Sequence, residues 1–224
     1  MREGIDAVIF DLDGVLIDSE EIWDEARRQV ALENGGRWSA EATRAMMGMS
    51  SVEWSRYMHG TLAVSMSPEG ISEAVVSRVR GLYAEHLPLI PGAREAVLGL
   101  GGEFLLGLAS SANRPVIEFV LELARMARLF AAIVSSEEVA RGKPAPDVYL
   151  EAARRLDVPA ERCAAVEDSS NGLRSAAAAG MTVIAVPNRE FPPDEDALAQ
   201  ASDVLESITE LTPARVRQAV SAGA

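Results

Sequence analysis

Five short runs of the chain are apolar almost throughout: Ala7–Phe10, Leu105–Ala109, Ala132–Val134, Ala164–Val166 and Thr182–Val186. A strand with one wet face alternates apolar and polar residues, so unbroken apolar runs belong to strands covered on both faces, as in a parallel sheet. Helical spacing fills the gaps between them, at Ala93–Leu100, Pro115–Ala124, Asp147–Leu156 and Leu173–Ala179. Strand alternating with helix predicts a doubly wound α/β core.

Residues 18–87 break this rhythm. They hold no convincing strand and read as helices at Glu20–Asn34, Ala40–Met47, Ser51–Tyr57 and Pro68–Glu85. Gly35-Gly36, Gly60 and Ser67-Pro68 mark the joints, and Pro88-Leu89-Ile90-Pro91-Gly92 returns the chain to the core. The expectation is a core from residues 1–17 and 88–224 with an all-helical domain, 18–87, inserted after the first strand. The loop from Pro187 to Asp194 is a candidate mobile edge of the site, and the stretch from Leu211 to Ala224 reads as a short helix with a frayed tail.

The 224 residues carry a net charge of -13, which repels nucleic acid and anionic membranes and excludes both as expected partners. An anionic ligand then needs a locally positive site. No apolar run approaches the roughly 18 residues that span a bilayer, and the N-terminus lacks the basic-then-apolar pattern of a secretory signal. The single cysteine, Cys163, lies in an apolar run and reads as a small buried hydrophobe, not as half of a disulfide. A cytoplasmic monomer is the expectation. His59 and His86, far apart in sequence, give no histidine-built zinc site.

Four polar groups fall just after four of the apolar runs. Asp11 and Asp13 follow the first, Ser110 and Ser111 the second, Lys143 comes soon after the third, and Glu167 and Asp168 follow the fourth. In open α/β sheets ligands bind outside the carboxyl ends of the strands, so parallel strands would bring all four sets to one edge. Two carboxylates one residue apart resist joint ionisation unless a cation or a shared proton relieves them. A divalent metal holding a phosphoryl group meets that need. Each motif has another reading alone. Asp-x-Asp-Gly also describes a turn, or a calcium loop, although Ile22 stands where such a loop wants an acid. Ser110 also reads as a helix cap, Lys143 as a solvated loop lysine, and Glu167-Asp168-Ser169-Ser170 as a capped helix start.

Taken in order, Asp11-Leu12-Asp13-Gly14-Val15-Leu16, Ser110, Lys143 and Glu167-Asp168 resemble the four motifs of the haloacid dehalogenase superfamily. The inserted helices are similar to that family's mobile cap. Gly142-Lys143-Pro144-Ala145-Pro146-Asp147 and Glu167-Asp168-Ser169 look like its β-phosphoglucomutase and sugar-phosphatase branch. The resemblance implies a Rossmann-like core and a phosphoric monoester hydrolase. It makes Asp11 the nucleophile that forms an aspartyl-phosphate, Asp13 the general acid and base, and Ser110 and Lys143 the residues that hold phosphoryl oxygens. It implies Mg²⁺, with Asp11, Glu167, Asp168 and the Asp13 backbone carbonyl as ligands. Ser111, Asn113, Trp23 and Ser51 are the candidate substrate contacts.

In the cap, Trp54, Met46, Met47 and Met49 read either as its own core or as the lining of the cleft, and Arg44 and Arg56 as surface residues or anion contacts. β-Phosphoglucomutases carry a histidine where Trp23 stands and an arginine after a Gly-x-Ser stretch, where this chain has Gly48-Met49-Ser50-Ser51. Both departures favour a small-metabolite phosphatase over a phosphosugar mutase. A non-catalytic metal-binding regulator on the same fold is the third reading.

Overall fold

The computed structural model describes residues 4–46, 49–188 and 192–222. Among the described residues six strands, β1 (Ala7–Phe10), β2 (Leu105–Ser110), β3 (Ala132–Ser135), β4 (Cys163–Glu167), β5 (Thr182–Ala185) and β6 (Asp203–Val204), form one sheet in the order β3-β2-β1-β4-β5-β6. Every pairing is parallel. Four helices stand between β1 and the rest: α1 (Glu20–Glu33), α2 (Ala40–Met46), α3 (Ser51–Gly60) and α4 (Pro68–Glu85). The remaining helices are α5 (Ala93–Gly101), α6 (Arg114–Leu123), α7 (Asp147–Leu156), α8 (Ser170–Ala178), α9 (Glu195–Leu198) and α10 (Pro213–Ala222). This is the doubly wound core with an inserted helical cap.

Two apolar clusters show why the strands have no polar face. Val8 and Phe10 of β1 point into a cluster with Val97 of α5, Val120 of α6 and Val216 of α10. Ala7 and Ile9 point the other way, into Val148 and Ala152 of α7 and Leu173 of α8. The first cluster continues into the cap through Trp23, Trp54, Ile71 and Val79. The two chain segments joining cap to core pair with each other: Asp18 N donates to Pro88 O at 2.8 Å and Ile90 N to Leu16 O at 3.0 Å.

The five apolar runs become β1 to β5, and the predicted helices appear with shifted ends. α8 starts at Ser170 instead of Leu173, because the Ser169 hydroxyl accepts the Gly172 N–H at 3.1 Å and caps a longer helix. α3 runs on to Gly60. The two-residue β6 and the four-residue α9 were not foreseen: β6 is half aspartate, and both are too short for a period to register. Met47, Gly48, Arg189, Glu190 and Phe191 lie outside the described residues.

Cys163 opens β4 and is fully buried. Burial, with Asp6 and Glu161 adding to it, pushes its thiol up to about 12. Folded protein is therefore expected to resist a disulfide reagent such as Ellman's, and to react within seconds once denatured. Fast titration of one thiol in native buffer would contradict this burial.

Candidate active site

The strand order reverses direction between β1 and β4, and the chemistry-bearing residues gather at the carboxyl ends of those two strands. Asp11 is the first residue past β1, and its N–H donates to Val166 O of β4 at 3.0 Å. Glu167 ends β4 and Asp168 follows it. Lys143 reaches in from the segment before α7, donating to Asp11 Oδ1 at 2.8 Å and to Glu167 Oε1 at 2.6 Å. All four side chains are buried. Residues from three distant points of the sequence thus meet in one place.

Glu167 is the most enclosed. Its Oε1 also accepts the Tyr149 hydroxyl of α7 at 2.7 Å. Its Oε2 accepts the N–H groups of Asp168 at 3.1 Å and Ser169 at 3.4 Å, and the Ser169 hydroxyl at 3.2 Å. The start of α8 leaves room for this carboxylate only because residue 172 is glycine; a Cβ there would overlap it. Lys143 also lies 5.1 Å from the centre of the Tyr149 ring, a cation–π contact. Sequence reasoning missed Tyr149, whose only signal is its place on the apolar face of α7.

Asp13 is held apart from this cluster. Its Oδ1 accepts the Ser19 hydroxyl at 2.5 Å and the Trp23 indole N–H at 3.2 Å, and its Oδ2 accepts the Ser110 hydroxyl at 3.4 Å. Ser19 stands at the N-cap position of α1 with its hydroxyl turned to Asp13 instead of the helix, and Trp23 lies in the first turns, so the cap's leading helix grips a core carboxylate. Ser110 is fully buried and also accepts the Ala112 N–H at 3.0 Å, whereas the N-cap of α6 is Asn113. Ser110 therefore braces a turn instead of capping the helix.

The electrostatics follow from burial. Desolvation raises Asp11 to about 8; Lys143 works against the rise, and Glu167 and Asp13 add to it. Asp168 is driven well above the carboxylate range, first by burial and then by Glu167 and Asp11. Asp13 is raised by burial, against the hydrogen bonds from Ser19 and Trp23 that pull it down. Burial alone would lower Lys143, but Asp11 and Glu167 more than reverse this and lock it as a cation.

One ammonium would not balance three buried carboxylates if all were charged, and burial together with that deficit pushes Asp11 and Asp168 towards their protons. Asp11, Glu167 and Asp168 each present an oxygen within 4.8 Å of the other two, and Asp168 Oδ1 is buried with no partner. An all-oxygen, anionic donor set with an orphaned acceptor fits a hard divalent cation. Gly14 keeps this cluster tight: its φ is +78°, and a Cβ would overlap the Asp168 carboxylate. Gly14→Ala is expected to push Asp168 out of place and lower turnover by about 100-fold or more, since a 1 Å misplacement costs that much. A steady-state assay beside a circular dichroism spectrum checks it.

A cavity of about 550 Å³ opens above the cluster. Asp11, Asp13, Lys143 and Asp168 line it from the core, with Ser111 and Asn113; Trp23, Ser51, Trp54, Met49 and Arg44 line it from the cap. All four expected substrate contacts are among these residues. Asn188, Pro192, Pro193 and Asp194 bring the loop after β5 to its rim. Met46 is fully buried and does not reach the cavity, nor does the exposed Arg56. Glu20 and Arg27 of α1 also line it, and sequence reasoning singled out neither.

Haloacid dehalogenase-like hydrolases match residues 5–180. Hexitol phosphatase B of Escherichia coli (strain K12) is 36% identical over 213 residues, covering 92% of this chain and 94% of that protein. A phosphorylated carbohydrates phosphatase of Thermotoga maritima is 33% identical over 183 residues, covering 79% and 82%. The crystal structure of CbbY from Rhodobacter sphaeroides in complex with phosphate superposes with a TM-score of 0.83 at 28% identity, covering 96% of this chain and 99% of that one. The chain belongs to the haloacid dehalogenase-like hydrolase family.

Proposed function

We propose that this protein is a phosphatase that hydrolyses a small phosphorylated metabolite, a sugar phosphate or similar phosphomonoester, through an aspartyl-phosphate on Asp11. The observation that carries the reading is the division of labour between two aspartates: Asp11 sits with Lys143 and the acidic cluster, while Asp13 is held aside by Ser19 and Trp23. The named activities of the two relatives, a hexitol phosphatase and a phosphorylated carbohydrates phosphatase, agree with it. Domain bounds of 18–87 for the cap, a monomer and a cytoplasmic setting belong to the same reading. No helix among the described residues is long and apolar enough to cross a membrane.

An oxygen of Asp11 attacks phosphorus, the bond from phosphorus to the leaving oxygen breaks, and Asp13 gives that oxygen its proton. Burial equips Asp13 for this by raising its affinity for the proton. Water then attacks the aspartyl-phosphate, Asp13 takes the proton back, and inorganic phosphate leaves Asp11 free. Lys143 holds phosphoryl charge through both steps, with Ser110 bracing the turn beside it. Asp11, Glu167, Asp168 and the Asp13 carbonyl would hold Mg²⁺, which when bound supplies positive charge against the phosphoryl oxygens. The cap excludes bulk water from the cavity.

The test is phosphate release from p-nitrophenyl phosphate with and without Mg²⁺, followed by a panel of phosphorylated metabolites ranked by kcat/KM. Release that vanishes with EDTA and returns with Mg²⁺ supports the proposal. A second arm supplies β-glucose 1-phosphate with glucose 1,6-bisphosphate. Glucose 6-phosphate formed without net phosphate release would make the protein a mutase instead. The absence of both activities would leave the non-catalytic reading.

A further inference from the structure

Arg27 lies on α1 one turn beyond Trp23 and is only 7% exposed. A guanidinium taken out of water normally has a carboxylate against it, because an unpaired buried charge is costly. Arg27 has no hydrogen bond or ion pair among the described residues, and its Nε is sealed from solvent with no partner. What it touches is aromatic. Its guanidinium carbon is 5.6 Å from the centre of the Trp23 ring and 5.8 Å from that of Trp54. The rings attract the cation but leave its hydrogen-bonding fork unused. Glu20 and Asp24 of α1, Asp13 of the core and Tyr83 of α4 lie within its electrostatic field, yet none forms an ion pair or hydrogen bond with it.

The other buried or half-buried cations of the cavity are committed. Lys143 is held by Asp11 and Glu167, and Arg174 by Asp194 and Asp196. Arg44, exposed at the same cavity, has no hydrogen bond or ion pair among the described residues. The cap thus brings two uncommitted guanidiniums to a cavity whose core side is acidic. Trp23 links the two sides: its N–H donates to Asp13 and its ring meets Arg27. Trp23 thus spans the distance between Asp13 and Arg27, and a leaving group lying along it would meet the guanidinium.

We propose that Arg27 is a specificity-determining residue that receives a second anionic group, a carboxylate or a further phosphate, carried by the leaving part of the substrate. This rests on the phosphomonoester reading above and narrows it to substrates charged at both ends. The planar guanidinium pairs two-pronged with either group. A neutral polyol would satisfy its hydrogen bonds and leave its charge without a contact ion pair. Ser51, whose buried Oγ has no partner, lines the same cavity and offers a further donor.

The experiment compares matched ligands on Mg²⁺-loaded Asp11→Asn protein by calorimetry, so that binding is read without turnover. One pair is 6-phosphogluconate and sorbitol 6-phosphate, which differ in a carboxylate against a hydroxymethyl group. The other is ribulose 1,5-bisphosphate and ribulose 5-phosphate. The doubly anionic member of at least one pair is expected to bind about tenfold tighter or more. Adding Arg27→Gln should bring that ratio to within about twofold, and Arg27→Lys should leave it between the two, the expected order for charge-assisted pairing. Ratios near one in both pairs, or a preference that survives Arg27→Gln, would overturn the proposal. If Arg27→Gln does not fold, the ratios of the parent and of Arg27→Lys decide. Failure of the phosphatase reading is distinguishable, because it appears as absent phosphate release from p-nitrophenyl phosphate by the unaltered protein, whichever ligand binds better.

Discussion

Asp11→Asn is expected to lower turnover by at least about 10⁴-fold on any substrate, with the fold retained, because it removes the atom that bonds to phosphorus. An amide is nearly isosteric with a carboxylate, and its oxygen can still accept from Lys143, which now donates to Asp11 at 2.8 Å. The backbone anchor, Asp11 N–H to Val166 O, does not depend on the side chain. The charge removed is one that burial already opposes, since desolvation raises this carboxyl to about 8. The variant should therefore melt cooperatively at a temperature close to the parent's, and phosphate release should be lost. Trapping gives a further check: quenching in acid during turnover of a phosphate-labelled substrate should leave label on the parent and none on Asp11→Asn. Label retained by the variant would place the nucleophile elsewhere. Asp13→Asn differs in principle, because it removes a proton carrier and leaves the attacking oxygen in place; the two variants separate the roles that the geometry assigns.

The sequence exposed the parts of this protein that repeat a pattern or break one at low cost in residues. β1 to β5 were legible because a strand covered on both faces has no polar alternation, and the acids stood out because they end those runs. The grouping of Asp11, Glu167 and Asp168 followed from parallel order, since every strand then ends on the same edge, whereas Lys143 comes in from the connection between β3 and α7. What stayed hidden depends on how a helix is aimed. Ser19 and Trp23 reach Asp13, and Arg27 reaches the Trp23 and Trp54 rings, only because α1 leaves the core at one particular angle. Local sequence carries no record of that angle. Tyr149 was invisible for a related reason: on an amphipathic helix a buried tyrosine looks like any other core residue until its hydroxyl is seen to meet Glu167. Ser110 is another case: expected to hold a phosphoryl oxygen, it is not among the residues lining the cavity, and its hydroxyl serves Ala112 and Asp13.

Lys143→Met should be strongly destabilising. Lys143 is the one cation in hydrogen-bonding contact with Asp11 and Glu167 among the described residues, at 2.8 and 2.6 Å, and all three are buried. Removing one partner from a buried ion pair leaves an uncompensated charge and costs about 3–5 kcal/mol. Two features bear on where in that range the loss falls. Asp11 already tends to hold its proton and can shed its charge, which lessens the cost. Glu167 keeps Tyr149, Ser169 and the Asp168 N–H when the lysine goes, so its oxygens are not stranded. Together they place the loss nearer about 3 kcal/mol in metal-free protein, read by urea denaturation. Excess Mg²⁺ should recover part of it, because a ligand of the folded state at 100 times its Kd adds about 2.7 kcal/mol. Turnover should stay at least about 100-fold down even then, since a phosphoryl group without this ammonium loses a preorganised charged donor. Lys143→Arg is expected to rescue neither property: a planar guanidinium cannot place one nitrogen between Asp11 and Glu167 while keeping the lysine's position over the Tyr149 ring. A loss below about 1 kcal/mol in Lys143→Met would mean that Asp11 is neutral in the folded state and that the lysine is not what holds the cluster together.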